Sequence, residues 1–458
     1  MNLNDHKPPS SFHSPIHTKI VCSAPGKLIL FGEHAVVYGK NAIATSLSDL
    51  RTSITLELLK VAESSSNNNI HTKPPSLIFN APSIGFQEEL VIPLESIHQL
   101  IPPTTIVSST ATSTTVLPDK PDRGMVDKLV EFTKQCIQTS SITTSVAAME
   151  YNKMISIVSV LYVYLLLLLL QDDTRMRFLN SPKDYSIRID LSSTNLPIGA
   201  GLGSSASFSV CLVSAFLLLF KKISVSSIQY HNSDKKQEKN TVELELINKW
   251  AYFVEQLIHG TPSGIDNSVS TFGGILSFSK GKVQEHLSPQ MLPNMRILIV
   301  NTRVERNTKL IVAGVRERRE KDFESIENRL NEIQQISQDY LELLKKNYQQ
   351  NTSECSFSTE LRDKMEQFID RNHVLLNEIG TGHPKLDKIC EIASKYGLHA
   401  KLTGAGGGGC GFILLPNPPM DEVEELLKSD LEKEGFEYFM SNQVAGVGVR
   451  CDEYYEEE

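Results

Sequence analysis

The sequence predicts a mixed α+β protein folded in two domains. Three observations lead there. The chain has 458 residues, more than one hydrophobic core ordinarily serves. Of these, 40% are apolar and 22% charged, the balance of a globular chain. Strand-like and helix-like stretches are interleaved: Ser186–Leu191 alternates polar with apolar residues, and Ser204–Phe220 is apolar almost all round.

Residues 1–18 are polar and rich in Pro, Ser and His, and read as a disordered tail. They hold no apolar core, so no secretory signal is expected. Strand-like sequence begins at Ile20. Three tracts, Glu63–Asn69, Pro102–Pro118 and His231–Asn240, are poor in apolar residues and read as surface loop insertions. Met154–Leu170 is apolar but short for a bilayer, which takes about 18 residues or more. Ser156 and Ser159 interrupt it, and a buried helix is favoured over a membrane segment. Thr241–Ile258 has a Thr cap and apolar Leu246, Trp250, Val254 and Leu257 at helical spacing. Arg296–Val300 reads as a strand and Asn307–Lys346 as charged helix. Residues 360–379 and 384–396 read as helices, and a glycine-rich loop at 404–411 leads into strand-like Phe412–Leu415. A boundary falls near residues 275–295, giving domains of 19–288 and 289–458.

Charge narrows the function. The net charge of −9, from 45 basic and 54 acidic residues, does not suit a nucleic-acid backbone or an anionic membrane. Any anion site must be local. The seven cysteines are odd in number and show no C-x-x-C spacing, which argues against a disulfide framework or zinc knuckle and for a reducing compartment. A cytoplasmic location is expected. The chain ends in EYYEEE, which is no peroxisomal tripeptide.

Four segments carry chemistry. Pro197–Ala206 (PIGAGLGSSA) lies between a strand and a buried helix. Glycines there allow close approach to an anion, and the first amides of the helix are unpaired. Ser204 and Ser205 add hydroxyls for phosphate or Mg²⁺. No G-K-[ST] follows, so this is not a Walker loop, and a tight turn with a Ser cap remains an alternative. In Ala24–Gly39 (APGKLILFGEHAVVYG), Lys27, Glu33 and His34 interrupt apolar sequence. Charges so embedded need partners, whether in a site or in a peripheral ion pair. Lys401–Gly411 (KLTGAGGGGCG) has six glycines in eight residues at 404–411, which points to close approach to a ligand or another loop, or else to a linker. In Glu255–Gly274, Glu255 ends a helix and Asp266 follows a Pro-Ser-Gly turn. Glu255 and His259 have i, i+4 spacing, but H-E-x-x-H is absent and zinc is disfavoured. One carboxylate for Mg²⁺ and one as base suits phosphoryl transfer better, a turn aspartate being the plainer reading of Asp266 alone.

In this order the four segments resemble the GHMP kinases, and APGKLILFGEHAVVYGK, HGTPSGIDNSVSTFGG and KLTGAGGGGCG resemble their mevalonate kinase branch. Asn301-Thr302-Arg303, Arg306-Asn307-Thr308, Ile369–Asn372 and GTGHPKLD (380–387) extend the likeness to roughly residues 20–450. The resemblance implies a fold: an N-terminal, ATP-binding ribosomal-S5-like α/β domain and a ferredoxin-like C-terminal domain, with the active site in the cleft between. It implies transfer of the ATP γ-phosphate to the 5-hydroxyl of (R)-mevalonate, a step in isoprenoid and sterol precursor synthesis. Asp266 would be the base and Lys27 its neighbouring cation. Ser205 and Glu255 would hold Mg²⁺. Gly199, Ala200, Gly201, Leu202, Gly203, Ser204 and Ser205 would wrap the triphosphate, with Lys27, Ser83 and Thr194 also near the nucleotide. At Ser83 the family often carries Asn. Glu33, His34, Thr308, Gly404, Ala405 and Gly406 would meet mevalonate. A homodimer and inhibition by prenyl diphosphates are further family expectations.

Other functions fit less well. A sugar kinase of this superfamily typically shows G-R-x-N-x-I-G-E-H-x-D-Y, where this chain has GKLILFGEHAVVY. A non-catalytic relative would have lost Lys27, Glu255 or Asp266. An RNA-binding role lacks an aromatic platform or basic stripe.

Overall fold

The computed structural model describes residues 16–61, 74–100, 118–139, 151–169, 184–229, 241–305, 307–350 and 357–457. Residues 1–15 of the expected tail, the three loop insertions apart from Pro118, and Arg306 lie outside the described residues.

The first half of the chain runs β1 (Ile16–Phe31), β2 (Ala42–Lys60), β3 (Ser76–Asn80), β4 (Leu90–Pro93), α1 (Leu94–His98), α2 (Arg123–Thr139), α3 (Tyr151–Leu169), β5 (Tyr185–Thr194), α4 (Ser204–Leu219), α5 (Thr241–His259), α6 (Ile265–Phe272), β6 (Ile275–Ser279) and β7 (Lys282–Leu287). The second half runs β8 (Met295–Asn301), α7 (Thr308–Lys321), α8 (Phe323–Gln350), α9 (Thr359–Glu378), α10 (Pro384–Ser394), β9 (His399–Leu402), β10 (Cys410–Leu414), α11 (Asp421–Lys433), β11 (Glu437–Val444) and β12 (Arg450–Glu456). This is the α+β architecture expected.

The long hairpin of β1 and β2 is the spine, paired from Ile16↔Leu59 to Phe31↔Ile43. One line of the sheet reads β4-β3-β5-β2-β11-β8-β10-β9, antiparallel except for β3 beside β5. β2 serves both halves: Thr52–Lys60 pair with β5, and Leu47 meets Val444 of β11. In β5 the alternation read from sequence places Ile187, Ile189 and Leu191 inward.

α4 is buried from Ala206 to Leu219, as a helix apolar on every side must be. It packs on β1 and β2, with α5 and α3 around it. α3 joins the same core through Ile155, Val158, Leu161 and Tyr164. Ser159, which interrupts its apolar run, satisfies its hydroxyl on the carbonyl of Ile155 at 2.8 Å. Among the described residues no helix is long and apolar enough to cross a membrane.

The expected boundaries shift in two places. β1 begins at Ile16, inside the stretch read as tail, and Thr18 pairs with Glu456 and Leu58. β12 then returns the end of the chain to β1, so Val449 and Cys451 belong to the core of the first half. Leu28, Phe31 and Leu47 join the core of the second. The helical run from Asn307 also divides. Asp322 leaves helical geometry (φ −141°) and its Oδ1 accepts from the Ser325 amide at 3.2 Å, ending α7 and capping α8.

Candidate active site

The glycines of the Pro197–Ala206 segment set its geometry. Gly199, Gly201 and Gly203 have φ of 78°, 81° and 76°, values that favour glycine. At Gly203 a side chain is also excluded by space, since a Cβ would stand 2.8 Å from Lys27 Cγ. Gly203 is the N-cap of α4 and offers no side-chain hydrogen bond to the first turn. The amides that open this 16-residue helix therefore have no side-chain cap, and an anion placed there would meet the positive end of the dipole.

Two carboxylates flank this loop. Asp266 lies in the first turn of α6, which left-handed Gly264 starts. Its Oδ1 is 3.3 Å from Lys27 Nζ. The lysine side chain is 9% exposed and the aspartate 35%, so the cation is buried and the anion opens to the cavity. Lys27 is held by its main chain, whose amide donates to the Leu202 carbonyl at 2.8 Å. Glu255 sits near the end of α5, 3% exposed. Burial, then the charge of Asp266, push its carboxyl up to about 8. The Ser209 and Ser205 hydroxyls donate to it at 2.9 and 3.3 Å. Ser205 Oγ is also 3.0 Å from His259 Nε2.

A third group comes from the turn after β1. Glu33 forms a fully buried ion pair with Lys401 of β9, Oε1 to Nζ 2.5 Å. His34 Nε2 donates to the Ala405 carbonyl at 2.8 Å, which fixes that nitrogen as the protonated one. Burial lowers the pKa of the ring, so His34 meets the cavity as a neutral imidazole.

Most of these groups line one cavity of about 570 Å³, Glu255 and Lys401 lying outside its lining. Lys27, Asp266, Ser205 and Gly203 line it together with Glu33, His34, Thr308, Gly404 and Ala405. Ile84, Leu191, Ile198, Phe208 and Ile258 give it an apolar wall. Among the described residues no group of three or more His, Cys, Asp or Glu could hold a metal unaided.

The model of the GHMP kinases N terminal domain matches residues 162–274, and that of the GHMP kinases C terminal region matches 317–433. The chain is 36% identical over 433 residues to mevalonate kinase of Homo sapiens, covering 94% of each chain. It is 35% identical over 435 residues to mevalonate kinase of Bos taurus, again covering 94% of each. The chain belongs to the mevalonate kinase family of GHMP kinases. The crystal structure of the Methanococcus jannaschii mevalonate kinase shares the fold, with a TM-score of 0.57 at 23% identity, covering 95% of this chain and 99% of that one.

Not every residue singled out from the sequence of this mevalonate kinase family member reaches the cavity. Lys27, Ser83, Gly199, Gly201, Gly203, Ser204, Ser205, Asp266, Glu33, His34, Thr308, Gly404 and Ala405 line it. Glu255 lies behind Ser205. Ser83 donates to the Leu191 carbonyl at 3.2 Å. Thr194 is exposed at the end of β5 and does not line the cavity, while Ser193 does. Neighbours on a strand point to opposite faces, so one residue decides. Leu202 is buried in the core of the second half, and the Ala200 carbonyl accepts from Cys410 Sγ at 3.3 Å. Gly406 is taken up by Thr381, whose carbonyl would lie 2.1 Å from an added Cβ. Sequence reasoning missed Lys153, Ser156 and Ser193 in the wall. It also gave Lys401 no role, although the embedded Glu33 demanded a cation.

Proposed function

We propose that this enzyme transfers the γ-phosphoryl group of ATP to the 5-hydroxyl of (R)-mevalonate, giving 5-phosphomevalonate and ADP. The observation that carries the reading is the Lys27–Asp266 contact of 3.3 Å, set against a loop of left-handed glycines at the start of a buried helix. Phosphoryl transfer needs alignment and charge neutralisation more than covalent chemistry. The amides of 199–205 hold the triphosphate. Asp266 takes the proton of the attacking hydroxyl as its oxygen bonds to the γ-phosphorus and the bond to ADP breaks. Lys27, 3.3 Å from Asp266, balances the charge that builds on the transferring group.

The donor set fits Mg²⁺. Glu255 and Ser205 offer hard oxygen ligands, and Glu255 is close enough to Asp266 to feel its charge. A cation relieves that repulsion, and Mg²⁺ commonly binds through one or two carboxylates plus substrate phosphates. When bound, it would neutralise oxygens of the triphosphate. The apolar wall beside the phosphate loop suits an adenine ring. It equally suits the chain of a prenyl diphosphate, which supports competition with ATP. A homodimer and a cytoplasmic location complete the proposal.

The test is ADP release with mevalonate, phosphomevalonate, galactose and homoserine as acceptors. Mevalonate is expected to be preferred by orders of magnitude; preference for any other acceptor overturns the assignment.

A further inference from the structure

Glu33 has one oxygen satisfied and one left over. Its carboxylate is buried, Oε1 meets Lys401 Nζ at 2.5 Å, and Oε2 is without a hydrogen-bond partner. A buried carboxylate oxygen left so is costly unless something fills it. Glu33 lines the cavity beside His34, whose ring is tied to Ala405.

Burial lowers the pKa of the Lys401 ammonium, and Glu33 opposes this. Its Nζ also donates to the Leu402 carbonyl at 2.8 Å and sits 5.8 and 5.4 Å from the ring centres of Phe31 and Phe412. Its strand is fixed from behind, where the Leu402 amide donates to His373 Nδ1 at 3.3 Å. Two residues on, Thr403 Oγ1 donates to the Ile29 carbonyl of β1 at 2.8 Å. The lysine thus joins the glycine-rich loop of the second half to the cavity wall of the first.

We propose that Lys401 is a positioning residue: by holding Glu33 Oε1 it turns Oε2 to accept a hydrogen bond from a hydroxyl of the acceptor substrate. The inference rests on the mevalonate kinase reading. Burial holds the Glu33 carboxyl above its usual range, although Lys401 opposes this most and Lys27 adds to that opposition. Around Lys401 itself the titratable groups are Glu33, the Cys390 thiol and His373.

The experiment is steady-state kinetics of the full chain with ATP and mevalonate across pH. Lys401→Met is expected to raise KM for mevalonate about tenfold or more, a loss of about 1.4 kcal/mol per tenfold, while KM for ATP stays within about twofold. Without the cation Glu33 ionises at higher pH, so the acid limb of kcat/KM for mevalonate moves up. Should the single variant not fold, Glu33→Gln with Lys401→Met leaves no unpaired charge in the core. It is expected to show the raised mevalonate KM and no acid limb from Glu33. Equal rises in both KM values, an unmoved acid limb, or a double variant with wild-type mevalonate KM would each overturn the inference. A wild-type enzyme inactive on mevalonate would instead sink the functional reading.

Discussion

Gly203 exists so that Lys27 can pass: the place of its missing Cβ is 2.8 Å from Lys27 Cγ. The substitution Gly203→Ala therefore does two things. It strains a backbone at φ 76° and pushes aside the lysine that faces Asp266. Gly199 has nearly the same φ, 78°, with nothing within 4 Å of an added Cβ. Both alanine variants should lose about 1–2 kcal/mol to the left-handed conformation. Only Gly203→Ala should also lose kcat beyond that shared effect, by about tenfold or more. Turnover measured side by side checks this, and equal losses would show that the collision with Lys27 does not matter.

Asp266→Asn keeps the shape of the site and removes its proton acceptor. We expect kcat to fall by about 10³-fold or more while ATP binding changes little. Lys27→Met should fall by about 10²-fold, and the double variant should be no slower than Asp266→Asn, because groups that act as a unit are non-additive. Single-turnover rates decide. Near-normal turnover in Asp266→Asn takes the residue out of the mechanism.

Much of this site was legible because its elements use residues whose chemistry is local. Left-handed turns at 199, 201 and 203 show as glycines, and a helix apolar on all sides, 204–219, shows as buried. What was not legible depends on distance in the chain. Lys27 and Asp266 lie in segments far apart in the chain, and only resemblance joined them. Lys401 looks like the start of a glycine-rich loop, yet Glu33 in apolar sequence required a buried partner and that rule could have found it. The return of β12 to β1 left no trace, since the end of the chain is charged and reads as surface. Ser193 against Thr194 was a matter of strand face, which register settles and composition does not.

The Glu255 carboxyl, pushed up to about 8 by burial and by Asp266, makes stability depend on pH. Below the unfolded value of about 4.3 both states hold the proton. Between there and about 8 the unfolded chain has released it and the folded protein has not. Stability therefore falls as pH rises through that window, by up to about 1.4 kcal/mol per unit from this group. Denaturant midpoints of the wild type in chelator should decline from pH 6 to 8 more steeply than those of Glu255→Gln. Parallel curves would show that Glu255 is not held protonated in the fold.

Arg51 backs the helix that carries Asp266 without lining the cavity. It is 4% exposed, and burial, with Arg450 next, pushes its pKa down to about 10. Its guanidinium donates to the carbonyls of Ser23 and Gly448 at 2.9 and 2.8 Å and to those of Ser48 and Val447 at 3.3 Å. The 446–448 segment so gripped is pressed on the end of α6: the Val449 amide donates to Thr271 and the Gly274 amide to Gly446. Arg51→Met would leave these carbonyls buried without donors, at about 1–3 kcal/mol for each one not rescued. We expect a loss of about 3 kcal/mol or more in unfolding free energy, together with a lower kcat as α6 and its Asp266 lose their backing. Arg51→Lys should restore little of either, because one ammonium lacks the planar fork that spans both strands. Urea unfolding and turnover of the two variants test this, and a lysine variant equal to wild type would show that charge alone suffices.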